Sequence, residues 1–256
     1  MKNLKHIKTA LITGATSGIG RATAKLFADQ KFGLVLCGRR QDRLDELTEE
    51  LGNHTQVHSL NFDVRDKDAV FSSINSLRGD FSDIDILINN AGNAHGMDAI
   101  EEGNPDDWDA MLDINVKGLL YVSRAILPKM VKKKSGHIIN IGSSAGKEVY
   151  PKGNVYCASK FAVDAINQGM RMDLNPYGIR VGAINPGLVE TEFSQVRFKG
   201  DSERAATVYK GFNALQPEDI ADIIHFVVTR PYHVNIADLV VMPTAQASNT
   251  IVKREL

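Results

Sequence analysis

The stretch KTALITGATSGIGRATAKLFADQ, residues 8–30, decides the fold. Lys8–Thr13 is a short apolar run. Gly14, Gly18 and Gly20 follow in close succession, and then the amphipathic Arg21–Gln30. The order reads strand, glycine turn, helix. Glycine permits a tight turn and a close approach of backbone to ligand. The start of the helix offers free N–H groups and the positive end of a dipole to a pyrophosphate. The spacing is G-x-x-x-G-x-G rather than the commoner G-x-G-x-x-G. Taken alone, a plain strand-to-helix connection explains the turn equally well.

Outward from that turn, strand and helix alternate. Gly33–Cys37 reads as a second strand ending in Gly38-Arg39-Arg40. A dinucleotide fold that prefers NAD places an acidic side chain here, whereas arginine pairs with a 2′-phosphate. Arg39, with Arg40 assisting, is therefore read as selecting NADP. The alternative is solvated charge at the start of the helix Gln41–Leu51. Val57–Phe62 is a third strand. After it, the Asp63 carboxylate, beside Val64, either meets an adenine amino group or serves as a turn or cap residue. A helix Lys67–Leu77 and an apolar strand Ile84–Ile88, of the kind buried on both faces, come next. That strand ends at Asn89-Asn90-Ala91-Gly92, a loop of small residues suited to lie along a nucleotide.

A long helical stretch from Pro105 to Lys134 contains Asn115, a poor interior residue expected to mark a kink where a carbonyl and a water are held. The strand Gly136–Ile141 and a helix running to Asn175 follow. Val181–Ile184 then leads into Pro186-Gly187-Leu188-Val189-Glu190-Thr191. Phe193–Leu215 is weakly periodic; a helix Pro217–Thr229 and a strand Asp238–Met242 close the pattern. Repeated βαβ units imply an α/β fold of Rossmann type, a doubly wound parallel sheet. No linker or repeat interrupts it, so residues 1–256 are expected to form one domain.

Chemistry is concentrated in Ser143–Lys160, which ends in Tyr156-x-x-x-Lys160. Four residues apart on a helix starting near Gly153-Asn154, the two side chains share a face. A free phenol has a pKa of about 10, and a nearby ammonium lowers it toward use as a base. Ser143, thirteen residues upstream, sits where the fifth strand ends. Its hydroxyl could hold the reacting oxygen beside the phenol. A solvated Tyr–Lys pair and a turn serine are the bland alternatives; the rest of the chain decides between them.

Thirty basic and thirty-one acidic residues give a formal charge of −1, which suggests neither a nucleic-acid nor a membrane surface. The polar start Met1–Lys8 lacks an apolar signal region, and the terminal Lys-Arg-Glu-Leu carries no consequence without one. Cys37 and Cys157 are too few for a disulfide framework, and Cys157 reads as a small packing residue. A cytoplasmic protein without a metal site is expected.

Together, Thr13-Gly-x-x-x-Gly-x-Gly20, Asn89-Asn-Ala-Gly92, Asn115, Ser143, Tyr156-x-x-x-Lys160 and Pro186-Gly187 resemble the short-chain dehydrogenase/reductase family over nearly the whole chain. The resemblance implies a seven-stranded sheet of order 3-2-1-4-5-6-7. It implies NADP contacts at Gly14, Thr16, Ser17, Gly18, Ile19 and Gly20, then at Arg39, Arg40, Asp63 and Val64. Asn90, Ala91, Gly92, Pro186, Gly187 and Val189 continue the set. Lys160 would bind the nicotinamide ribose and lower the Tyr156 pKa, Tyr156 would move the proton, and Ser143 would orient the substrate oxygen. Asn115 would hold a relay water and Thr191 the nicotinamide carboxamide. Family members are usually homotetramers.

Gly38-Arg-Arg-Gln-Asp-Arg43, Gly153-Asn-Val-Tyr156, Pro186–Asp201 and His233-Val-Asn-Ile236 are closer still to the NADP-dependent 3-hydroxy acid dehydrogenases. That implies substrates such as serine, allo-threonine, 3-hydroxyisobutyrate or 3-hydroxypropionate, or their semialdehydes. Lys147-Glu148 departs from the expected uncharged loop and would alter the substrate mouth. Arg197, a cation in a segment of about 188–216 that would cover the site, is the candidate for the substrate carboxylate. Lys199 and Lys152 rank behind it, and a surface salt bridge or subunit contact explains Arg197 equally well. The rival readings are a reductase of 3-oxoacyl thioesters or ketones and a non-catalytic NADP sensor.

Overall fold

The structure, a computed structural model, describes residues 8–255. The expectations for the polar start and for Leu256 lie outside the described residues. Seven strands form one parallel sheet: β1 (Thr9–Thr13), β2 (Gly33–Gly38), β3 (Val57–Asn61), β4 (Ile86–Asn89), β5 (Gly136–Ile141), β6 (Ile179–Pro186) and β7 (Asp238–Val241). Their order is β3-β2-β1-β4-β5-β6-β7, as the resemblance implied. Strand order reverses between β1 and β4, and such a switch point opens a crevice at the carboxyl ends of the strands.

Alternation along the strands builds two cores. Ala10, Ile12, Leu34, Leu36, Ile86 and Ile88 face one side, against α1 (Gly18–Asp29), α2 (Gln41–Gly52) and α9 (Pro217–Val228). Their neighbours Leu11, Val35, Cys37 and Leu87 face the other, against α3 (Lys67–Ser76) and α5 (Leu119–Lys133). Period-2 side-chain geometry requires this division, and it explains why these strands are apolar throughout. The sheet is therefore a rigid platform for the loops at its carboxyl edge.

Two stretches refine the sequence expectation. Between α4 (Pro105–Leu112) and α5, at the irregularity expected around Asn115, Asp113–Gly118 widens into a π-helical turn. Asn115 sits in that turn with its side-chain amide buried in polar contacts, and a methyl group on Gly118 would stand only 2.7 Å from Val64. The weakly periodic stretch contains two short helices, α7 (Phe193–Arg197) and α8 (Ser202–Thr207). It leaves and returns at a neck where the Glu190 N–H donates to Leu215 at 2.8 Å and the Leu215 N–H to Leu188 at 3.0 Å. Residues 190–214 form a flap closed at its base. The remaining long helix, α6 (Asn154–Leu174), begins where Gly153-Asn154 suggested.

Candidate active site

A cleft of about 830 Å³ lies along the carboxyl edge, under the flap. Of the residues assigned in the sequence to the cofactor, to catalysis or, as first candidate, to the substrate carboxylate, only Gly20 and Asn115 do not line it. Both act from beneath. A methyl group on Gly20 would press on the Gly14 carbonyl oxygen and lie 2.5 Å from Asn90 Nδ2, so only glycine lets α1 close onto the turn. The turn is then stapled to the loop after β4. Asn90 Nδ2 donates to the Thr13 and Gly14 carbonyls at 2.9 and 3.2 Å, and the Asn90 and Ala91 N–H groups donate to the Thr13 hydroxyl at 3.0 and 2.9 Å. Gly14 and Gly18 hold positive φ, 64° and 50°.

Asn115 clamps Asn93 from both sides: Oδ1 accepts its N–H at 2.9 Å, and Nδ2 donates to its carbonyl at 2.8 Å. The same Nδ2 donates to Ser159 at 2.9 Å, whose hydroxyl donates to the Tyr156 carbonyl at 2.7 Å. The residue thus fixes the catalytic helix relative to the loop after β4. Gly92 leaves room for this: a methyl group there would stand 3.0 Å from Asn115 Oδ1 and 3.6 Å from Lys160 Nζ.

Tyr156, Ser143 and Lys160 all line the cleft, with the Ser143 hydroxyl beside the Tyr156 phenol. Lys160 is buried and donates to the Ile141 carbonyl at 3.0 Å; burial lowers its ammonium from 10.5 to about 8. Burial pushes the Tyr156 phenol up, as does neighbouring Tyr150, while the Ser143 hydroxyl and the Arg197 guanidinium draw it down. In this geometry the cation favouring the phenolate is Arg197, since the Lys160 ammonium is turned to Ile141. Ser143 sits at the end of β5 with its Oγ accepting the Ala145 N–H at 3.1 Å. Cys157 packs beside Tyr156 in a small apolar cluster, as its size suggested.

Arg197 enters from the last residue of α7. Its Nε donates to the Gly96 carbonyl at 3.0 Å and Nη1 to the Tyr150 hydroxyl at 2.9 Å. The guanidinium lies 5.7 Å from the Tyr156 ring centre, and the Gly96 N–H returns a bond to the Arg197 carbonyl at 2.9 Å. Its Nη2 is buried without a partner. An unsatisfied donor of this kind is costly, and an arriving anion would satisfy it. The lesser candidates are less well poised: Lys199 is paired with Asp107 at 2.9 Å, and Lys152 lies on the rim of a small neighbouring cavity.

At the other end of the cleft, Asp63 accepts from Arg39 at 3.3 Å and from Arg65 at 2.7 and 3.0 Å. It also accepts the Arg65 N–H at 2.9 Å, a turn role. Burial works to raise its carboxyl, but the two guanidinium groups hold it below the usual range. Arg40 reaches Thr16 and Glu192 rather than Asp63. Val64 packs under the π-helical turn. Pro186 and Gly187 end β6, where a methyl group on Gly187 would press on Gln246. Val189 forms the neck of the flap, and the Thr191 hydroxyl accepts the Phe193 N–H at 3.1 Å. Lys147 and Glu148 do not open into the substrate mouth. Lys147 pairs with Asp164 and Asp238 at 2.7 Å each, and Glu148 accepts the Asn249 N–H at 3.0 Å.

Sequence reasoning missed Tyr150, Glu192 and the tail residues Gln246, Asn249 and Arg254, all of which line the cleft. Tyr150 stood within the catalytic stretch and could have been found; the tail carries no local signal. A crevice with a glycine cradle at one end of a helix and an arginine cluster at the second strand suits a phosphorylated dinucleotide. Among the described residues no helix is long and apolar enough to cross a membrane.

A family model for short chain dehydrogenases matches residues 8–202. An NADP-dependent 3-hydroxy acid dehydrogenase of Shigella flexneri is 47% identical over 238 residues, covering 93% of this chain and 95% of that protein. Sulfoacetaldehyde reductase 2 of Chromohalobacter salexigens is 45% identical over 238 residues, with 93% and 94% covered. The closed form of a serine dehydrogenase complexed with NADP⁺ matches with a TM-score of 0.91 at 44% identity, covering 97% of this chain and 100% of that one.

Proposed function

This chain belongs to the short-chain dehydrogenase family, and from that premise we propose that it interconverts short 3-hydroxy acids and their 3-oxo acids or semialdehydes. It is an NADP-dependent oxidoreductase. Held along the cleft by the glycine turn, Arg39 and Lys160, NADP would supply or accept the hydride exchanged with the carbon that bears the reacting oxygen. The remaining work falls to the chain's own residues. Tyr156 takes the proton from the hydroxyl in oxidation and returns it to the carbonyl oxygen in reduction; Ser143 holds that oxygen in place. Lys160, buried on the cleft floor, is taken as the partner of the nicotinamide ribose, and Asn115 keeps the loop and helix in register. Arg39 is taken as the partner of the 2′-phosphate.

The observation that carries the substrate reading is the orphaned Nη2 of Arg197, on a guanidinium beside the Tyr156 ring. A carboxylate two carbons from the reacting oxygen supplies the acceptor it lacks. The relative named for a sulfonated aldehyde supports an anion-directed site. The experiment is NADPH oxidation with malonic semialdehyde and NADP reduction with serine, allo-threonine and 3-hydroxyisobutyrate, in wild type and Arg197→Ala. The substitution is expected to raise KM for the acids about 10- to 100-fold and, because the guanidinium also favours the Tyr156 phenolate, to lower kcat by a smaller factor. Unchanged KM removes Arg197 from the site; turnover of an acetoacetyl thioester alone favours the ketoacyl reductase. A homotetramer in the cytoplasm completes the reading. Exposed Leu120 on α5 and Phe161 on α6 support the first part, and the buried free thiols Cys37 and Cys157 the second.

A further inference from the structure

Where the flap meets the cofactor floor, one carboxylate joins two arginines. Glu192, immediately before α7, accepts from Arg40 Nη1 at 3.0 Å and from Arg43 Nη1 at 2.7 and 3.0 Å. Arg40 uses its other nitrogens on the glycine turn: Nη2 and Nε donate to the Thr16 hydroxyl at 2.9 and 3.3 Å. Beside Glu192, the Thr191 methyl group would stand 3.2 Å from a Cβ placed on Gly18. These contacts make an arch from the start of α2, over the glycine turn, to the flap. The N-terminus of α1, the part of the cleft suited to a pyrophosphate, lies at its foot.

We propose that Glu192, with Arg40 and Arg43, is a strap that retains the dinucleotide under the flap, and that Arg40 serves this strap while the 2′-phosphate falls to Arg39. The inference rests on the reading of the cleft as the NADP site. Arg40 has Nε and both terminal nitrogens engaged, whereas Arg39 carries a 3.3 Å contact to Asp63 and leaves 56% of its side chain exposed. The two guanidinium groups hold the Glu192 carboxyl below its ordinary range although burial works to raise it, so the strap is charged near neutrality. Because Glu192 pairs with the chain's own arginines, the strap acts on NADP and NAD alike. It governs how long a dinucleotide stays, not which one is chosen. Its members are about 40% exposed, so solvent screens them and the effect is modest.

The test is the dissociation rate of NADPH and of NADH, followed by stopped-flow fluorescence with excess oxidised cofactor as the chase. Glu192→Gln and Arg43→Gln are each expected to speed release of both cofactors about three- to tenfold. The double variant should go no further than Glu192→Gln alone, because that substitution already removes the ion pair to Arg43. Arg39→Ala should weaken NADPH alone. Unaltered release from Glu192→Gln overturns the strap. So does a change confined to NADPH, which would assign Glu192 and Arg40 to phosphate selection. A wild-type protein that binds neither cofactor sinks the NADP reading instead, a result separate from either.

Discussion

The floor of the cleft is held largely by buried bonds, and the flap above it, apart from the part-buried Arg197, largely by bonds that water reaches. Asn115 spends its whole amide on Asn93 and Ser159, Lys160 ends on the Ile141 carbonyl, and Thr13 with Asn90 fastens the glycine turn to the next strand loop. The flap has two helices of five and six residues, the half-exposed Glu192 pairs, and the Arg197–Gly96 contact. Breaking a floor bond leaves a buried polar group unsatisfied, which costs about 1–3 kcal/mol. Breaking an exposed flap bond costs about 1 kcal/mol or less. A reaction centre needs fixed distances, and a site that admits and releases ligands needs a part that opens cheaply. The molecule divides the two tasks between the two regions.

The largest expected effect therefore belongs to the floor. Tyr156→Phe removes the hydroxyl proposed to move the proton and leaves the ring that packs against Phe193, 5.7 Å between ring centres. We expect kcat to fall about 10²- to 10⁴-fold while the NADPH dissociation constant and melting temperature stay within error. Steady-state kinetics beside a fluorescence titration of NADPH check this. A Tyr156→Phe enzyme with more than a tenth of normal kcat would mean that the proton moves elsewhere, and the division would lose its catalytic half.

A second test uses pH. Lys160 is ordinarily protonated to about 10.5, and burial brings it to about 8. Between those values the unfolded chain holds the proton and the folded chain releases it, so this group's penalty on stability is full below pH 8 and relieved as pH rises toward 10.5. On the proposed role of Lys160 at the nicotinamide ribose, cofactor binding runs the other way: above pH 8 its ammonium is lost. NADPH affinity should weaken by up to about tenfold per pH unit above 8, and Lys160→Met should flatten that limb. A wild-type profile flat from pH 7 to 9.5 would show that Lys160 stays charged in spite of its burial.

The same division explains what the sequence discloses. Gly14, Gly18 and Gly20 announce the turn because backbone geometry there depends on neighbours a few residues away. Tyr156 and Lys160 announce their shared face through helical spacing, and apolar runs announce strands buried on both faces. Local physics governs all of these. Arg197 was visible only as an isolated cation; what gives it meaning is Gly96, 101 residues away in the chain. Glu192 was passed over because its partners Arg40 and Arg43 lie 152 and 149 residues away. At Asn115 the sequence signals an irregularity but not that it is a π-helical turn, since the demand that shapes it comes from Asn93 and Ser159. Contacts between distant segments leave no periodicity to read.

The smallest effect is expected at the far rim of the flap, where the tail holds it. Arg254 Nη2 donates to the Val208 carbonyl at 3.0 Å, Nη1 donates to Lys210, and the guanidinium lies 5.1 Å from the Phe212 ring centre. The Glu255 N–H adds a bond to the Gly211 carbonyl at 2.7 Å. These carbonyls follow α8, so the tail caps the loose end of the flap while Arg197 docks its near end. Arg254 is exposed, and water takes its place readily when it is removed. Arg254→Ala should raise KM for the hydroxy acid only about two- to fivefold, with kcat, NADPH release and melting temperature nearly unchanged. Arg254→Lys should recover part of this, since an ammonium can still cap one carbonyl. If Arg254→Ala instead matches the loss from Arg197→Ala, the flap moves as one rigid piece, and the contrast between a fixed floor and a loosely held roof fails.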